Sequence, residues 1–375
     1  MNKLRIAVSI VLGVAYLLWG TQFGYLPVKA VTKSTPTYVA LGDSITTGYG
    51  LVSFNKSDIK NKTSDKNFVN KLGKKLSAKT VNLGIEGIDS RQLLQAISKP
   101  ITAEQKAEVT KIKNASVISI SIGGNNIMQP LLTNLNEKLG EGKSIYTASS
   151  VEISNAAINL FFDTTAVNKL QNDVVTGAAA FNGDTKLNKA GDFANIISTI
   201  KKINPKAQII VQTIYFPYKL PFIAFCDTAI QSMNAKIIED SAKGKNYKVA
   251  DVYSAFSKAK AGTKLVNADS GSSFDPHPTA KGHEVIYTVV AAALNDTVPY
   301  NVKATITKGK LTTKVSEGEL ILTITPAKGY KVPNNISLKI GKGDSLALTL
   351  INGKAALPIA DINDNIVVAA VCNKE

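Results

Sequence analysis

The residues best suited to chemistry in this sequence are one serine and one short segment that holds both histidines. A short apolar run ends abruptly at residues 42–44, Gly-Asp-Ser, so that the hydroxyl of Ser44 directly follows a candidate strand. A serine hydroxyl is a weak nucleophile until a neighbouring base accepts its proton. The chain has only two histidines, His277 and His283. Any histidine base for Ser44 must therefore come from that segment.

An alternation of apolar runs and helical patterns predicts the elements that position these groups. Apolar runs that predict β-strands occur at 37–42, 80–85, 116–122, 207–214 and 247–253. Amphipathic segments such as 193–203 separate them, with apolar residues at helical spacing. Near-continuous apolar strands joined by helices predict a parallel sheet covered on both faces. Sites in such sheets form beyond the carboxyl ends of the strands, where Ser44, Gly87, Asn125 and the loop after residue 253 would meet.

Four short blocks, in order along the chain, resemble those of the SGNH or GDSL hydrolase family. The first is Gly-Asp-Ser-Ile at 42–45, and the second is Asn-Leu-Gly-Ile-Glu-Gly at 82–87. The third is Gly-Gly-Asn at 123–125, and the fourth is the His-Pro pair that begins at His277. The resemblance extends over about residues 37–295. It implies an α/β fold, a three-layer α/β/α sandwich with a flavodoxin-like parallel sheet.

The resemblance also implies a role for each block. Ser44 takes the position of the nucleophile and His277 that of the base. The backbone N–H groups of Ser44 and Gly87 and the side-chain amide of Asn125 take the positions of the oxyanion hole. Acyl transfer needs such groups because it passes through a tetrahedral oxyanion that preorganised donors stabilise. This chemistry requires no cofactor and no metal ion.

The acid that should orient His277 departs from the family pattern. The family usually has Asp three residues before the histidine, but Phe274 stands there and Asp275 is only two residues before it. Asp275 is the better candidate because a carboxylate best stabilises an imidazolium. A main-chain carbonyl that orients the ring is the alternative.

His283 is the rival base. Thr279 and Gly282 place it at the start of a helix whose apolar positions include Val285 and Val289. A residue in the first turn of that helix would lie away from the loop that carries His277. We therefore assign His283 a structural role.

The first thirty residues follow the pattern of an export signal. Lys3 and Arg5 precede an apolar run over 6–19, and the small residues near Ala30 suit a cleavage site. We interpret residues 1–30 as a secretory signal peptide, which predicts a secreted or cell-surface protein. An uncleaved N-terminal anchor is the alternative.

Two domains are predicted after the signal. Residues 31–298 would form the hydrolase domain, in which 127–190 is a long insertion of the kind that forms lids or binding loops; a peripheral helical pair is the alternative. Residues 301–375 alternate polar and β-branched residues, which predicts a small β-sandwich-like accessory domain. The stretch Asn352-Gly353 is a strong hairpin signal. This domain could bind cell-wall or carbohydrate ligands, or act as a spacer.

Charge and cysteine content limit the kinds of partner and of disulfide or metal site that the chain could have. The net charge is +16, but nearly all of the basic residues are lysines, and arginine favours bidentate contacts with phosphate or guanine. We therefore predict no nucleic-acid partner, although the charge could favour anionic cell-wall polymers or lipid head groups. Cys226 and Cys372 are too few for a disulfide framework or a metal cluster. They could form one bridge or remain two buried thiols.

These observations favour a secreted serine esterase or lipase that hydrolyses small-molecule, lipid or glycan esters through an acyl-enzyme. The same family hosts deacetylases of cell-surface polysaccharides, and the fold does not decide between them. A surface-binding protein with weak or no activity is a further alternative, which the displaced Asp275 favours and the complete set of Ser44, Gly87, Asn125 and His277 opposes.

Overall fold

The structure is a computed structural model that describes residues 35–375 except 53–58, 146, 185, 188, 219, 245–246, 271–273 and 296. The predicted signal peptide, residues 1–30, lies outside the described residues. Within those described ranges, no helix combines the length and the apolar character needed to cross a membrane.

The chain from residue 36 onward alternates strands and helices and then becomes all-β. The helices are α1 Ser44–Thr47, α2 Ile59–Thr63, α3 Phe68–Lys75, α4 Ser90–Ser98, α5 Ala103–Lys113, α6 Gly124–Lys138, α7 Ser150–Phe162, α8 Thr164–Asn182, α9 Asp192–Ile203, α10 Ala224–Gly244, α11 Val252–Ser257 and α12 Ala280–Asn295. The strands of this part are β1 Thr37–Gly42, β2 Lys79–Gly84, β3 Val117–Ser121, β4 Gly183–Asp184, β5 Lys189–Ala190, β6 Gln208–Gln212 and β7 Lys248–Ala250.

The predicted parallel sheet is confirmed. Five strands lie in the order β2-β1-β3-β6-β7, and every neighbouring pair is parallel. The chain adds β2 on one side of β1 and then crosses to add β3 on the other side. The carboxyl end of β1 therefore lies where the strand order reverses, which is where open α/β sheets bind ligands. Ser44 follows β1 at that point.

Alternate residues of β1 enter two different cores. Val39 and Leu41 pack into a cluster with apolar residues of α4–α10, whereas Tyr38 and Ala40 pack into a cluster with apolar residues of α3, α11 and α12. Because successive strand residues point to opposite faces, this division means that helices cover both faces of the sheet. The predicted α/β/α sandwich is thus confirmed.

The predicted insertion, 127–190, consists of most of α6, then α7, α8 and a short β4-β5 hairpin. Leu131, Leu160, Leu170 and Phe181 from its helices are buried in the first of the two cores. The phenyl ring of Phe181 stacks on that of Phe193 with the ring centroids 5.0 Å apart. Much of the segment is therefore a packed part of one helical layer, and its role as a lid stays a prediction.

The C-terminal region is all-β, as predicted. Its strands are β8 Val302–Thr307, β9 Gly309–Ser316, β10 Glu319–Pro326, β11 Tyr330–Lys331, β12 Asn335–Ile340, β13 Ser345–Thr349, β14 Lys354–Pro358, β15 Ile366–Val371 and β16 Asn373–Lys374. They form sheets in the orders β14-β10-β9, β13-β12-β15-β8 and β11-β16. Leu320, Leu322 and Ile324 alternate along β10 and are buried in a separate core.

The C-terminal region contacts the α/β part directly. Lys258 after α11 forms an ion pair with Glu319, with Nζ 3.0 Å from the carboxylate oxygen. Ile359 and Ala360 are buried in the core that contains α11 and α12. The predicted domain boundary near residue 298 stays a prediction. Cys226 and Cys372 are both buried and free, so they do not form the bridge that the sequence left open.

Candidate active site

Ser44 lies in a sharp turn from β1 into α1. Its neighbour Asp43 is the N-cap of that helix, because its Oδ1 accepts a 3.0 Å hydrogen bond from the Ile45 N–H. Gly42 has φ of 144°, and a Cβ at this position would lie only 2.0 Å from the carbonyl oxygen of Ser121. Glycine therefore allows β1 to turn against β3 and presents Ser44 beyond the end of the sheet.

His277 lies beside Ser44, although 233 residues separate them in sequence. The distance from its Nε2 to Ser44 Oγ is 2.9 Å. The imidazole is largely buried, and the ring of Tyr49 packs against it with the centroids 4.6 Å apart. This geometry suits a transfer of the serine proton to the imidazole.

Asp275 contacts the other side of the imidazole. Its Oδ1 is 2.5 Å from His277 Nδ1 and also accepts a 3.0 Å hydrogen bond from the His277 backbone N–H. Burial alone raises the pKa of Asp275, but the hydrogen bonds and charge of His277, with a bond from Asn267, hold that pKa below its usual value. The Asp275 side chain, rather than a main-chain carbonyl, therefore contacts the ring at Nδ1. This contact assigns the proton of the neutral imidazole to Nδ1 and leaves Nε2 to accept the serine proton.

Two tyrosines hold the segment that carries this pair. Tyr215 donates a 2.8 Å hydrogen bond to the carbonyl oxygen of Pro276, and Tyr218 donates a bond of the same length to that of Phe274. Phe274, at the position where the family usually has Asp, stacks on Tyr218 with the ring centroids 4.1 Å apart. Phe274 is thus part of an apolar support for the segment.

Asn267, on the other side of a short loop, holds the same segment. Its backbone N–H donates to the His277 carbonyl at 2.9 Å, and its side-chain Nδ2 donates to Asp275 Oδ2 at 2.7 Å. Neither Asn267 nor the two tyrosines belongs to the motifs. Their contacts depend on how distant loops approach one another, and no local signal in the sequence indicates them.

The two other predicted residues lie around the same cavity. Gly87 has φ of 72°, and its carbonyl oxygen accepts a hydrogen bond from the side chain of Gln129. Asn125 Nδ2 donates a 3.0 Å bond to the carbonyl oxygen of Ile88. Two side chains of α6, one turn apart, thus hold the turn after β2. Within the described part of the chain, the backbone N–H groups of Ser44 and Gly87 have no hydrogen-bond acceptor.

A cavity of about 330 Å³ connects these groups. Ser44, Gly87, Asn125 and His277 all line it, whereas Asp275 lies behind the imidazole. One wall is apolar and is formed mainly by Ile122, Met128, Leu132, Ile214 and Pro217. The arrangement combines a hydroxyl, a base and free N–H donors beside an apolar wall.

Asp43 is a buried carboxyl group on the cavity. Burial raises its pKa to about 7, against the opposing effects of the Ile45 N–H and of His277. As the N-cap of α1, Asp43 stabilises the turn through its hydrogen bond with the Ile45 N–H.

His283 lies in the core beneath α3. It is fully buried, its Nδ1 accepts a 3.4 Å hydrogen bond from the Phe68 N–H, and its ring stacks on that of Phe68 at 6.0 Å. Burial lowers its pKa to about 3. It is not among the described residues that line the cavity. These contacts agree with the structural role that we assign to it.

One family model matches more than half of the chain. The model of the GDSL-like lipase/acylhydrolase family matches residues 40–285. Among solved structures, the chain is similar to phospholipase A1 from Streptomyces albidoflavus NA297, at 18% identity and a TM-score of 0.46, with 69% of this chain and 100% of that chain covered. An extracellular lipase from Streptomyces rimosus has 18% identity, the same coverage and a TM-score of 0.43.

A catalytic mutant of an acetylxylan esterase from Geobacillus stearothermophilus is also similar. It has 14% identity and a TM-score of 0.40, with 69% of this chain and 94% of that chain covered. No curated protein sequence matches this chain significantly.

Proposed function

Because this chain belongs to the family of GDSL-like lipases and acylhydrolases, we propose that it hydrolyses carboxylic esters through an acyl-enzyme formed on Ser44. The observation that carries this proposal is the chain of contacts from Ser44 Oγ to His277 Nε2, at 2.9 Å, and from His277 Nδ1 to Asp275 Oδ1, at 2.5 Å. A nucleophile, a base and an orienting acid in hydrogen-bond reach of one another are the parts that serine hydrolysis requires.

Acylation begins when Ser44 Oγ attacks the carbonyl carbon of the ester and its proton passes to His277 Nε2. The carbonyl oxygen becomes an oxyanion, which the N–H groups of Ser44 and Gly87 and the amide of Asn125 stabilise. The carbon–oxygen bond to the alcohol then breaks, and the alcohol leaves with the proton from His277. Asp275 stabilises the imidazolium that exists between these two transfers.

Deacylation repeats the sequence with water. His277 accepts a proton from water as the water oxygen attacks the acyl carbon, and the same donors stabilise the second oxyanion. The bond between the acyl carbon and Ser44 Oγ breaks, and His277 returns the proton to the serine. The carboxylic acid leaves, and the resting site is restored.

The oxyanion hole rests on two features of the described chain. The N–H groups of Ser44 and Gly87 are without an acceptor there, so they are available to a substrate oxygen. Asn125 and Gln129 hold the turn that carries Gly87, which keeps its N–H preorganised. Preorganised donors need not rearrange when negative charge develops on the substrate oxygen. Loss of one such donor typically lowers kcat by about 10²–10³-fold.

A surface-binding protein without activity is the competing hypothesis. In the sequence, this hypothesis was supported by the acid, Asp275, which stands one position away from its usual place in the family. In the structure, Asp275 Oδ1 is 2.5 Å from His277 Nδ1, so the carboxylate reaches the imidazole from that position. That contact supports the enzyme. The apolar wall of the cavity suits the acyl group of the substrate.

We also propose that the protein acts outside the cytoplasm or at the cell surface. The support is the basic start and apolar run of residues 1–30. Mass spectrometry of the protein from the medium and cell-surface fractions of an exporting host tests this proposal. A mature N-terminus near residue 31 is expected, and an intact N-terminus retained inside the cell would contradict it.

Assays with p-nitrophenyl esters of acetate and of longer acids test the enzymatic proposal. The wild-type protein should hydrolyse at least one of them, and Ser44→Ala should lower kcat by at least about 10³-fold. A wild-type protein that hydrolyses none of them, or a Ser44→Ala variant that retains full activity, would refute it.

A further inference from the structure

Glu86 places a carboxylate in the cavity that the proposed mechanism does not use. It precedes Gly87, so its own carbonyl belongs to the peptide that carries the Gly87 N–H. Its side chain lines the cavity, and its Oε1 is buried with no hydrogen-bond partner in the described part of the chain. A buried carboxylate oxygen without a donor costs free energy unless a ligand supplies that donor.

The charge of the cavity contrasts with that of the chain. The sequence has 44 lysines and arginines, yet none of the described residues that line the cavity is basic apart from His277. Glu86 and Asp43 are its carboxyl groups. The charge of Glu86 contributes, after burial, to the raised pKa of Tyr49, whose ring packs on His277. A phosphate group inside the cavity itself would meet the charge of Glu86, without a cation to pair with it among the described lining residues.

The surface continues beyond Glu86 as a cleft of about 370 Å³ that shares Glu86 and Gly87 with the cavity. Gln92, Gln95 and Gln105, from α4 and α5, line this cleft. The side-chain oxygens of Gln92 and Gln105 each accept a hydrogen bond from a backbone N–H group. The side-chain NH₂ groups of both glutamines therefore remain as donors. Lys99 is the one basic residue among the described residues of the cleft.

We infer that Glu86 and this cleft form a subsite for the alcohol part of the substrate, and that the subsite takes a neutral alcohol with several hydroxyl groups. This inference rests on the proposed function. The Glu86 carboxylate lines both the cavity and the cleft, so each hydroxyl can donate to it and accept from the glutamine amides, which matches the donors and acceptors present. Glu86 lines the same cavity as Tyr49 and His277, and His277 must protonate the leaving alcohol. The natural substrates are therefore acylated sugars or polyols rather than phosphate esters of lipids.

Two acetate esters with the same acyl group and the same number of alcohol carbons test the inference. Glycerol 1-acetate carries two hydroxyl groups that propyl acetate lacks. The wild-type protein should prefer glycerol 1-acetate by at least about ten-fold in kcat/KM, since a hydrogen bond to a charged group is worth about that factor or more. Glu86→Gln should lower this preference about ten-fold, and Glu86→Ala should lower it at least as much. Glu141→Gln, at an exposed turn, is the matched control and should leave the preference unchanged.

Acetylcholine and the acetate ester of glycerol phosphate separate hydroxyl recognition from charge recognition. If Glu86→Gln lowers acetylcholine hydrolysis more than glycerol 1-acetate hydrolysis, the subsite binds cations and the inference is wrong. A wild-type preference for the phosphate ester would overturn it too. Equal kcat/KM for glycerol 1-acetate and propyl acetate also overturns the inference but leaves the proposed function intact, whereas hydrolysis of neither ester contradicts the proposed function itself. Circular dichroism of each variant confirms that it folds.

Discussion

Asn267 donates a 2.7 Å hydrogen bond from its Nδ2 to Asp275 Oδ2, the carboxylate oxygen that does not contact His277. The other oxygen, Oδ1, is 2.5 Å from His277 Nδ1. Both oxygens of the acid are therefore fixed, one by the base and one by a side chain from a separate loop. This second bond explains how an acid displaced by one position from the usual family pattern can still orient the imidazole.

Replacement of Asn267 by alanine should lower kcat about ten-fold with little change in KM, because Asp275 would lose one of the bonds that orient it. The lost donor should also raise the pKa of Asp275, so activity at low pH should fall off at a higher pH than in the wild type. A pH profile of kcat/KM distinguishes this effect from a loss of stability. Asn155→Ala, at an exposed asparagine of α7, is the control. An unchanged profile in Asn267→Ala would contradict the positioning role.

Asp275→Asn should lower the activity far more than Asn267→Ala does. Asparagine keeps the size of the side chain but would not stabilise the imidazolium, and its NH₂ group favours the wrong tautomer of His277. We expect kcat to fall by about 10³–10⁴-fold while the melting temperature stays within a few degrees. Steady-state kinetics with a p-nitrophenyl ester measure kcat, and thermal unfolding measures the melting temperature. A fall of less than about ten-fold would mean that Asp275 is not the orienting acid.

Asp43 should make the stability of the protein fall as the pH rises. Its pKa is about 7 in the folded protein and near 3.8 when exposed, so the folded state binds a proton between these values that the unfolded state has lost. The stabilising contribution is complete below pH 4 and is lost as the pH rises through about 7.

Asp43→Asn removes this titration and keeps an oxygen to cap α1. The free energy of unfolding of the variant should exceed that of the wild type by on the order of 2–4 kcal/mol at pH 8, and the difference should shrink towards pH 4. Urea unfolding at pH 4.5, 6 and 8 measures it. A difference that does not change with pH would show that Asp43 does not titrate in this range.

Two glycines of the site should respond differently to alanine. A Cβ on Gly42 would overlap the carbonyl oxygen of Ser121 at 2.0 Å, so Gly42→Ala should fold poorly or lose more than about 3 kcal/mol of stability. A Cβ on Gly87 would meet nothing within 4 Å, and its cost is the strain of φ at 72°, about 1–2 kcal/mol. Gly87→Ala should therefore fold but lose kcat. Similar melting temperatures for the two variants would contradict this ranking.

The sheet and the neighbourhood of the site follow from local signals in the sequence. Ser44, Gly87 and Asn125 each follow a predicted strand, and the carboxyl ends of parallel strands meet at one edge. The structure brings these residues together around one cavity with His277. Their catalytic roles stay predictions until they are measured.

Contacts between distant loops could not be predicted. Tyr215, Tyr218 and Asn267 support residues 274–277 through bonds whose partners lie 8 to 61 positions away. Such contacts depend on the paths of loops rather than on periodicity or turn chemistry.

The pairing of the strands in the C-terminal region could not be predicted either. Asn352 and Gly353 form the predicted turn, with φ of 51° and 76°, but the strands on either side join different sheets. β9 is rich in lysine and threonine and β14 is short, so neither carries a strong strand signal of its own. Burial against β10, which lies between them, determines their pairing.

The central claim is that Ser44 is a nucleophile activated by His277, and covalent labelling tests it most directly. The wild-type protein, incubated with a fluorophosphonate probe and digested, should carry the phosphonyl group on the peptide that contains Ser44, as identified by mass spectrometry. Labelling should be lost in Ser44→Ala and should slow by at least about 10²-fold in His277→Ala. A wild-type protein that remains unlabelled, or that is labelled at another residue with Ser44 unmodified, would contradict the account.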